Sequence, residues 1–177
     1  MRFSSLASAT LMTAPFILFG TCVHATELSA TLVGFEETPS IFSAQGKGTL
    51  DLDLNRNART LSYKLTFSGL RAAVTQSHIH FGKRDVAGGV IVFLCGTATN
   101  PGPAGTPTCP QSGTVSGTIT AANVIGPVPQ GISAGDFDGL VAALGSNSAY
   151  ANVHSMMFPA GEIRGQIRRG ERDDDDR

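Results

Sequence analysis

The 177-residue chain has no tryptophan and only two tyrosines, and charged residues make up only 15% of it. With 13 basic against 14 acidic residues, it lacks the cationic surplus that nucleic acids or anionic membrane surfaces select. It also lacks a serine in a nucleophile elbow and a phosphate-binding glycine loop, so catalysis without a metal has little support. No apolar run after residue 25 approaches transmembrane length. The sequence therefore predicts no nucleic-acid partner and no transmembrane segment.

The first 25 residues have the pattern of a secretory signal peptide. Arg2 provides a positive start, residues 6–20 are mostly apolar or small, and Val23-His24-Ala25 supplies small residues at the cleavage positions. The alternative is a lipoprotein signal at Cys22, but residues 19–21 are a poor approach to a lipidated cysteine. We therefore predict a signal peptide over 1–25, cleavage after Ala25, and a periplasmic or secreted mature protein.

The remaining chain divides into one domain over 26–168 and a short tail. Cys95 and Cys109 bracket a segment rich in proline and glycine, and a disulfide between them would stabilise by on the order of 3 kcal/mol. An oxidising compartment favours this disulfide over a metal-binding or reactive thiol pair. Residues 169–177 contain four consecutive aspartates and no apolar residue, which predicts a disordered charged tail rather than a calcium site.

Alternating apolar and polar residues predict β-strands through most of the domain. In 47–54 and 60–68 the apolar residues share one face, and the turn residues between these runs predict a β-hairpin. Further strands are expected at 27–34, 74–81, 88–94, 112–120, 149–154 and 161–168. Helical spacing follows Ser133, the predicted N-cap, and ends at Gly145. The pattern is typical of an all-β sandwich or Greek-key barrel with one short helix.

Three of the four histidines occupy two strand-like segments. Residues two apart on a strand share a face, so His78 and His80 project together while Ile79 points into the core. His154 shares the face of its own strand with Asn152. If the two strands are neighbours, three imidazoles converge on one patch and form a candidate metal site. Imidazole suits zinc, copper, iron and nickel.

Other polar or soft side chains lie near these histidines in the sequence. Met156 could add a thioether that favours copper, although a methionine in such a position more often packs into a loop. Glu162 and Arg164 lie two apart on one strand face. They are expected either to form a surface or edge ion pair worth at most about 1 kcal/mol, or to support the neighbouring histidine where that histidine binds a metal.

An ordered set of motifs covering roughly residues 27–168 resembles the CHRD domain, a module named for chordin and widespread in bacterial exported proteins. The motifs are Leu32-Val33-Gly34-Phe35-Glu36-Glu37-Thr38-Pro39, Ser77-His78-Ile79-His80-Phe81-Gly82, Tyr150-Ala151-Asn152-Val153-His154 and Pro159-Ala160-Gly161-Glu162-Ile163-Arg164-Gly165-Gln166-Ile167. The resemblance implies an immunoglobulin-like Greek-key β-sandwich or barrel, but it implies no defined activity because the family's own activity is largely undefined.

The same resemblance makes the His-x-His segment similar to the copper-binding strand of copper–zinc superoxide dismutase. On that likeness His78 and His80 match the paired copper ligands and His154 matches a distal ligand. No histidine is left for the metal-bridging position, and no zinc-binding His/Asp cluster lies between Phe81 and Cys95. These departures argue against dismutase activity but not against copper binding.

Three functional hypotheses remain. The first is an exported binding protein that holds copper, or alternatively zinc, on a surface site formed by His78, His80 and His154. The second is a structural or protein-interaction domain whose histidines hydrogen-bond across strands without a metal. The third, a dismutase-like or hydrolytic metalloenzyme, has the least support because the sequence shows neither a second metal site nor a placed general base. The sequence identifies no protein partner and no oligomeric state.

Overall fold

A computed structural model describes residues 25–170. Residues 1–24 of the predicted signal peptide and 171–177 of the predicted tail therefore lie outside the described residues. The described chain contains nine β-strands and one α-helix, together with short 3-10 turns. The elements are β1 (Thr26–Val33), β2 (Lys47–Asn55), β3 (Thr60–Ser68), β4 (Val74–Phe81), β5 (Gly89–Gly96), β6 (Gly113–Ile119), α1 (Phe137–Gly145), β7 (Ala149–Ser155), β8 (Ile163–Gln166) and β9 (Arg168–Arg169).

The strands form one antiparallel sheet in the order β5-β4-β7-β8-β1-β2-β3-β6, and β9 pairs with β1. The sheet curls into a nearly closed barrel, and the Tyr63 hydroxyl on β3 donates to the Leu94 carbonyl oxygen on β5 at 2.6 Å. The predicted all-β barrel with a single short helix is thus confirmed. For the site, the important consequence is that β4 and β7 are neighbours although 67 residues separate their ends.

The β2–β3 hairpin supplies a large part of the core. Its two strands are in register from Lys47 opposite Ser68 to Asn55 opposite Thr60. Inward residues such as Leu50 and Leu65 are completely buried, while the residues between them are mostly exposed. The predicted hairpin and its apolar face are confirmed.

Helix α1 begins later than the sequence pattern predicts. Asp136, not Ser133, is the N-cap, because its carboxylate accepts the Gly139 N–H at 2.8 Å. Ser133 instead begins a turn in which its carbonyl oxygen accepts the Asp136 N–H. The helix buries Phe137 and Leu140 against the barrel. No helix within residues 25–170 is both long and apolar enough to cross a membrane.

The disulfide between Cys95 and Cys109 is present, with the two Cα atoms 4.9 Å apart. The Cys109 N–H also donates to the Gly96 carbonyl oxygen at 2.8 Å, which ties the base of the loop to β5. The last strand differs from expectation. It is divided into β8, which pairs with β7 and β1, and β9, which pairs with β1; between them the Ile167 N–H donates to the carbonyl oxygen of Ala149. Backbone pairing with β1 continues to residue 170, two residues beyond the predicted domain boundary.

Candidate metal centre

The pairing of β4 with β7 brings the three histidines together. His78 lies opposite Asn152, and His154 lies two residue pairs further along, opposite Gln76. Side chains on the same face of adjacent strands interact both directly and along the diagonal. As a result, each of His78, His80 and His154 offers a ring nitrogen, and these nitrogens lie within 4.8 Å of one another. The expected convergence of the imidazoles is therefore observed.

The cluster is buried, so the expectation of a surface site is wrong. His78, His80 and His154 are 3%, 7% and 5% exposed. The His78 ring packs edge-on against Phe93 of β5 with their centroids 4.3 Å apart. The β4–β5 and β7–β8 connections contribute carbonyl groups that contact the other two rings. Strand alternation shows which face a side chain takes, but not whether connecting segments cover that face.

Backbone carbonyl groups determine which ring nitrogens are available. His80 Nδ1 donates to the Gly88 carbonyl oxygen, and His154 Nδ1 donates to that of Pro159, each at 2.9 Å. In a neutral imidazole this leaves Nε2 without a proton and with a free lone pair. Metal-binding histidines are commonly oriented in this way by a carbonyl on the other ring nitrogen.

The remaining contacts lie inside the cluster. His78 Nδ1 is 3.1 Å from His154 Nε2, and Asn152 Oδ1 is 3.0 Å from Nε2 of both His80 and His154. Among residues 25–170, His78 Nε2 has no hydrogen-bond partner. The cluster thus contains more acceptor atoms than its own protons can satisfy.

Burial keeps the three imidazoles neutral. It lowers the pKa of His78 to about 2, with further lowering from the charges of His154 and His80. Burial lowers the pKa of His80 to about 4, partly opposed by the hydrogen bond to Gly88. Burial also lowers the pKa of His154, although the hydrogen bond to Pro159 acts to raise it. Neutral imidazole is the form that binds metal ions, so no proton has to be displaced near pH 7.

Glu162 and Arg164 are both buried, at 0% and 2% exposure, and neither expected role describes them fully. Glu162 accepts hydrogen bonds from the Ser43 hydroxyl, the Ser155 hydroxyl and the Arg71 N–H rather than from Arg164. The surface ion pair is therefore wrong.

Arg164 instead supports the cluster through an aromatic ring. Its guanidinium carbon lies 3.4 Å from the centre of the Tyr150 ring. The Tyr150 ring is also stacked on the His80 ring, with centroids 4.7 Å apart and an angle of 4° between the planes. Arg164 also donates to the carbonyl oxygens of Lys83 and Val86. The stack restrains the plane of His80. Met156, the other side chain considered as a ligand, is 72% exposed and lies outside this buried cluster.

Sequence reasoning missed Glu37, a carboxyl group that is only 7% exposed. Burial raises its pKa to about 7, against the lowering effects of the Arg164 charge and of hydrogen bonds from the Thr38 backbone and the Asn152 side chain. Glu37 belongs to the first motif of the CHRD resemblance, and that was the only available signal. Its distance in sequence from the histidines gave no reason to connect them.

Together, the fold and the cluster define a small all-β barrel domain with a buried three-histidine group that could hold a metal ion. The family model of the CHRD domain matches residues 28–167, which is most of the chain. The chain belongs to the CHRD domain family. Comparisons with curated proteins and with solved structures gave no match.

Proposed function

We propose that this protein is an exported CHRD-domain binding protein that holds one copper or zinc ion through His78, His80 and His154. The observation that carries the proposal is the convergence of three neutral imidazoles whose ring nitrogens lie within 4.8 Å of one another. Two of these rings are already oriented by backbone carbonyls so that Nε2 is free. Imidazole suits copper and zinc, as well as iron and nickel, and the likeness of the His-x-His segment to the copper-binding strand of copper–zinc superoxide dismutase favours copper.

The cluster must contract to accept an ion. With metal–nitrogen bonds of about 2.0–2.1 Å, tetrahedral nitrogen ligands on one ion are about 3.4 Å apart. The 4.8 Å spread of the cluster therefore needs a contraction of roughly 1.4 Å. Rotation of the His78 ring could supply it, since the Nε2 of that ring has no partner among residues 25–170.

A structural domain without a metal is the second candidate. Its support is the 3.1 Å contact between His78 Nδ1 and His154 Nε2, which is a hydrogen bond if His78 carries the Nδ1 proton. A metalloenzyme has less support, because a catalytic metal needs a coordination position that a substrate can reach and these histidines are at most 7% exposed.

Export is part of the proposal and is supported by two independent features. The first 25 residues have the composition of a signal peptide, and Cys95 and Cys109 form a disulfide. Structural disulfides persist in oxidising compartments. Expression with the native leader, followed by fractionation, should find the protein outside the cytoplasm and beginning at Thr26.

Metal titration of the tag-free mature protein tests the binding proposal. Zinc, copper(II) and copper(I) are titrated into the wild type and into a His78→Ala/His80→Ala variant, with calorimetry as the readout. We expect one tight equivalent in the wild type and its loss in the variant. No histidine other than His78, His80 and His154 follows the predicted cleavage site, so any histidine-dependent binding reports on this cluster.

Two controls separate the cluster from nonspecific binding. The first is a Thr49→Ala/Asp51→Ala variant, which changes two exposed residues at the same strand spacing on β2. The second lacks residues 171–177 and so removes the four aspartates of the tail. Both should bind like the wild type. Equal, weak binding by the wild type and the double-histidine variant would leave the structural role as the better explanation.

A further inference from the structure

The amide oxygen of Asn152 occupies an unusual place between two histidines. It lies 3.0 Å from His80 Nε2 and 3.0 Å from His154 Nε2. Both nitrogens have a free lone pair, because Nδ1 of each ring donates to a backbone carbonyl. An oxygen this close to two unprotonated nitrogens is repelled unless a cation lies between them or the amide is reversed.

The distances are those expected between ligands of one ion. Ligands at right angles on an ion with bonds of about 2.0–2.1 Å are about 2.9 Å apart, and tetrahedral neighbours are about 3.4 Å apart. The two contacts of Asn152 Oδ1 at 3.0 Å and the His78 Nδ1–His154 Nε2 separation of 3.1 Å lie within this interval. Four atoms thus follow one another at ligand-to-ligand distances: Nε2 of His80, Oδ1 of Asn152, Nε2 of His154 and Nδ1 of His78.

Glu37 provides a reason for the amide to take this orientation. Asn152 Nδ2 and Glu37 Oε1 both lie against Gly161, where an added β-carbon would overlap the carboxylate and come within 2.9 Å of the amide nitrogen. Glu37 Oε1 has no hydrogen-bond partner among residues 25–170, so it is an acceptor left for Asn152 Nδ2, and the nearby amide lowers the pKa of that carboxyl. With Nδ2 on the Glu37 side, Oδ1 of Asn152 faces the histidines.

We propose that Asn152 is the fourth protein ligand of this centre through Oδ1, and that Glu37 is the positioning residue that orients its amide. The inference rests on the proposed metal site and specifies its donor set as three nitrogens and one oxygen. A carbonyl oxygen is a harder ligand than a thiolate or thioether, and no sulfur lies among these four groups. The centre therefore favours zinc(II) or copper(II) over copper(I).

Variants of nearly equal size at position 152 test the ligand. Asn152→Leu removes the oxygen, and we expect zinc and copper(II) to bind on the order of 100-fold more weakly. Loss of a group that only supports a metal ligand lowers the metal affinity by about 10- to 100-fold, so the expected loss is at or above the upper end of that range. Binding of copper(I) should change little. Asn152→Asp restores an oxygen and should regain wild-type zinc affinity or exceed it. The visible spectrum of bound cobalt(II) should differ between the wild type and Asn152→Asp, because cobalt(II) absorption depends on its ligands.

The outcomes separate this inference from the metal site itself. If the wild type binds zinc and Asn152→Leu binds it equally well, Asn152 is not a ligand and the three-histidine site stands. If Asn152→Asp binds as weakly as folded Asn152→Leu, the amide acts as a hydrogen-bond donor and the inference is wrong. If the wild type binds no metal, the proposed function itself fails. Should Asn152→Leu not fold, as judged by circular dichroism in EDTA, the cobalt(II) spectrum of Asn152→Asp decides: an unchanged spectrum overturns the inference.

The positioning role of Glu37 has its own test. Glu37→Leu removes the acceptor for Asn152 Nδ2 and should weaken zinc binding about tenfold, the lower end for such supporting groups. Glu37→Gln keeps an oxygen that can accept from the amide, and it should recover most of the affinity. Equal zinc affinity in Glu37→Leu and the wild type would show that Glu37 does not orient the ligand.

Discussion

The β2–β3 hairpin and the β4–β7 pair are both antiparallel, but their outward faces differ in kind. On the hairpin, outward residues such as Thr49 and Lys64 are exposed to solvent. On the β4–β7 pair the corresponding face carries four polar side chains that are each at most 7% exposed. They are His78, His80, Asn152 and His154.

The hairpin buries only apolar residues, whereas the β4–β7 face contains a buried polar atom without a partner among residues 25–170. A buried polar atom without a hydrogen-bond partner costs about 1–3 kcal/mol, and His78 Nε2 has no partner within the part of the chain that the structure describes. Apolar residues at the same positions would avoid that cost. A buried ring nitrogen left without a partner is better explained by ligand binding than by packing.

The largest expected effect comes from the core of the hairpin. Leu65→Ala removes a fully buried side chain and should lower the free energy of unfolding by about 2–5 kcal/mol, because a cavity remains. Urea denaturation in EDTA measures this change. The zinc affinity of the folded variant should stay at the wild-type value. A reduced affinity would show that the two regions are coupled rather than independent.

Acid should destabilise the metal-free protein through the histidine face. The pKa of His80 is lowered from 6.5 to about 4, so the unfolded chain binds more protons than the folded protein across that range, and stability falls as the pH falls. The loss should reach roughly 3 kcal/mol for His80 alone by pH 4, with His78 and His154 adding to it. Glu37 acts in the opposite direction, since its raised pKa makes it favour the folded state below pH 7.

Thermal unfolding in EDTA between pH 7 and pH 4 checks the acid effect. His80→Gln removes one titrating group and should reduce the slope of stability against pH. Leu65→Ala is the matched control, and it should lower stability by a similar amount at every pH. A slope that is the same in His80→Gln and the wild type would show that His80 does not drive acid unfolding.

Removing one hydroxyl from each region provides the smallest and most closely matched comparison. The Ser77 hydroxyl on β4 is buried and donates to the Asn152 carbonyl oxygen at 2.6 Å, so Ser77→Ala should cost about 1–2 kcal/mol. The Thr66 hydroxyl on β3 contacts that of Thr114 at 2.8 Å in an exposed position, and Thr66→Ala should change stability by at most about 0.5 kcal/mol. Urea denaturation measures both, and equal costs would contradict the expected difference between a buried hydroxyl in the β4–β7 pair and an exposed one in the hairpin region.

The parts of the fold that could be predicted are those governed by local pattern. The alternation of Leu50, Leu52 and Leu54 gave the inward face of β2, and the same reasoning placed His78 and His80 together on β4. The helix start was missed because Ser133 and Asp136 are both good N-cap residues, and only the backbone path decides between them.

The candidate site was predictable only in part. Its three histidines could be selected because they are the only ones after the predicted signal peptide. Glu37 could not be selected, since it comes from a connection more than 100 residues away from Asn152 in the chain. Arg164 was noticed, but its stacking on Tyr150 depends on the lateral order of β7 and β8 in the sheet.

By itself, the sequence determined the family, the strands, the disulfide and the shared face of His78 and His80, because these follow from residue type and from spacing along the chain. Only the tertiary structure decided that β4 and β7 are neighbours and that connecting segments bury their histidine face. Burial depends on where distant segments pass, and it is burial that keeps the imidazoles neutral. The pairing of β4 with β7 brings Asn152 Oδ1 within 3.0 Å of two of them. The three-histidine patch expected on the surface is therefore an interior centre.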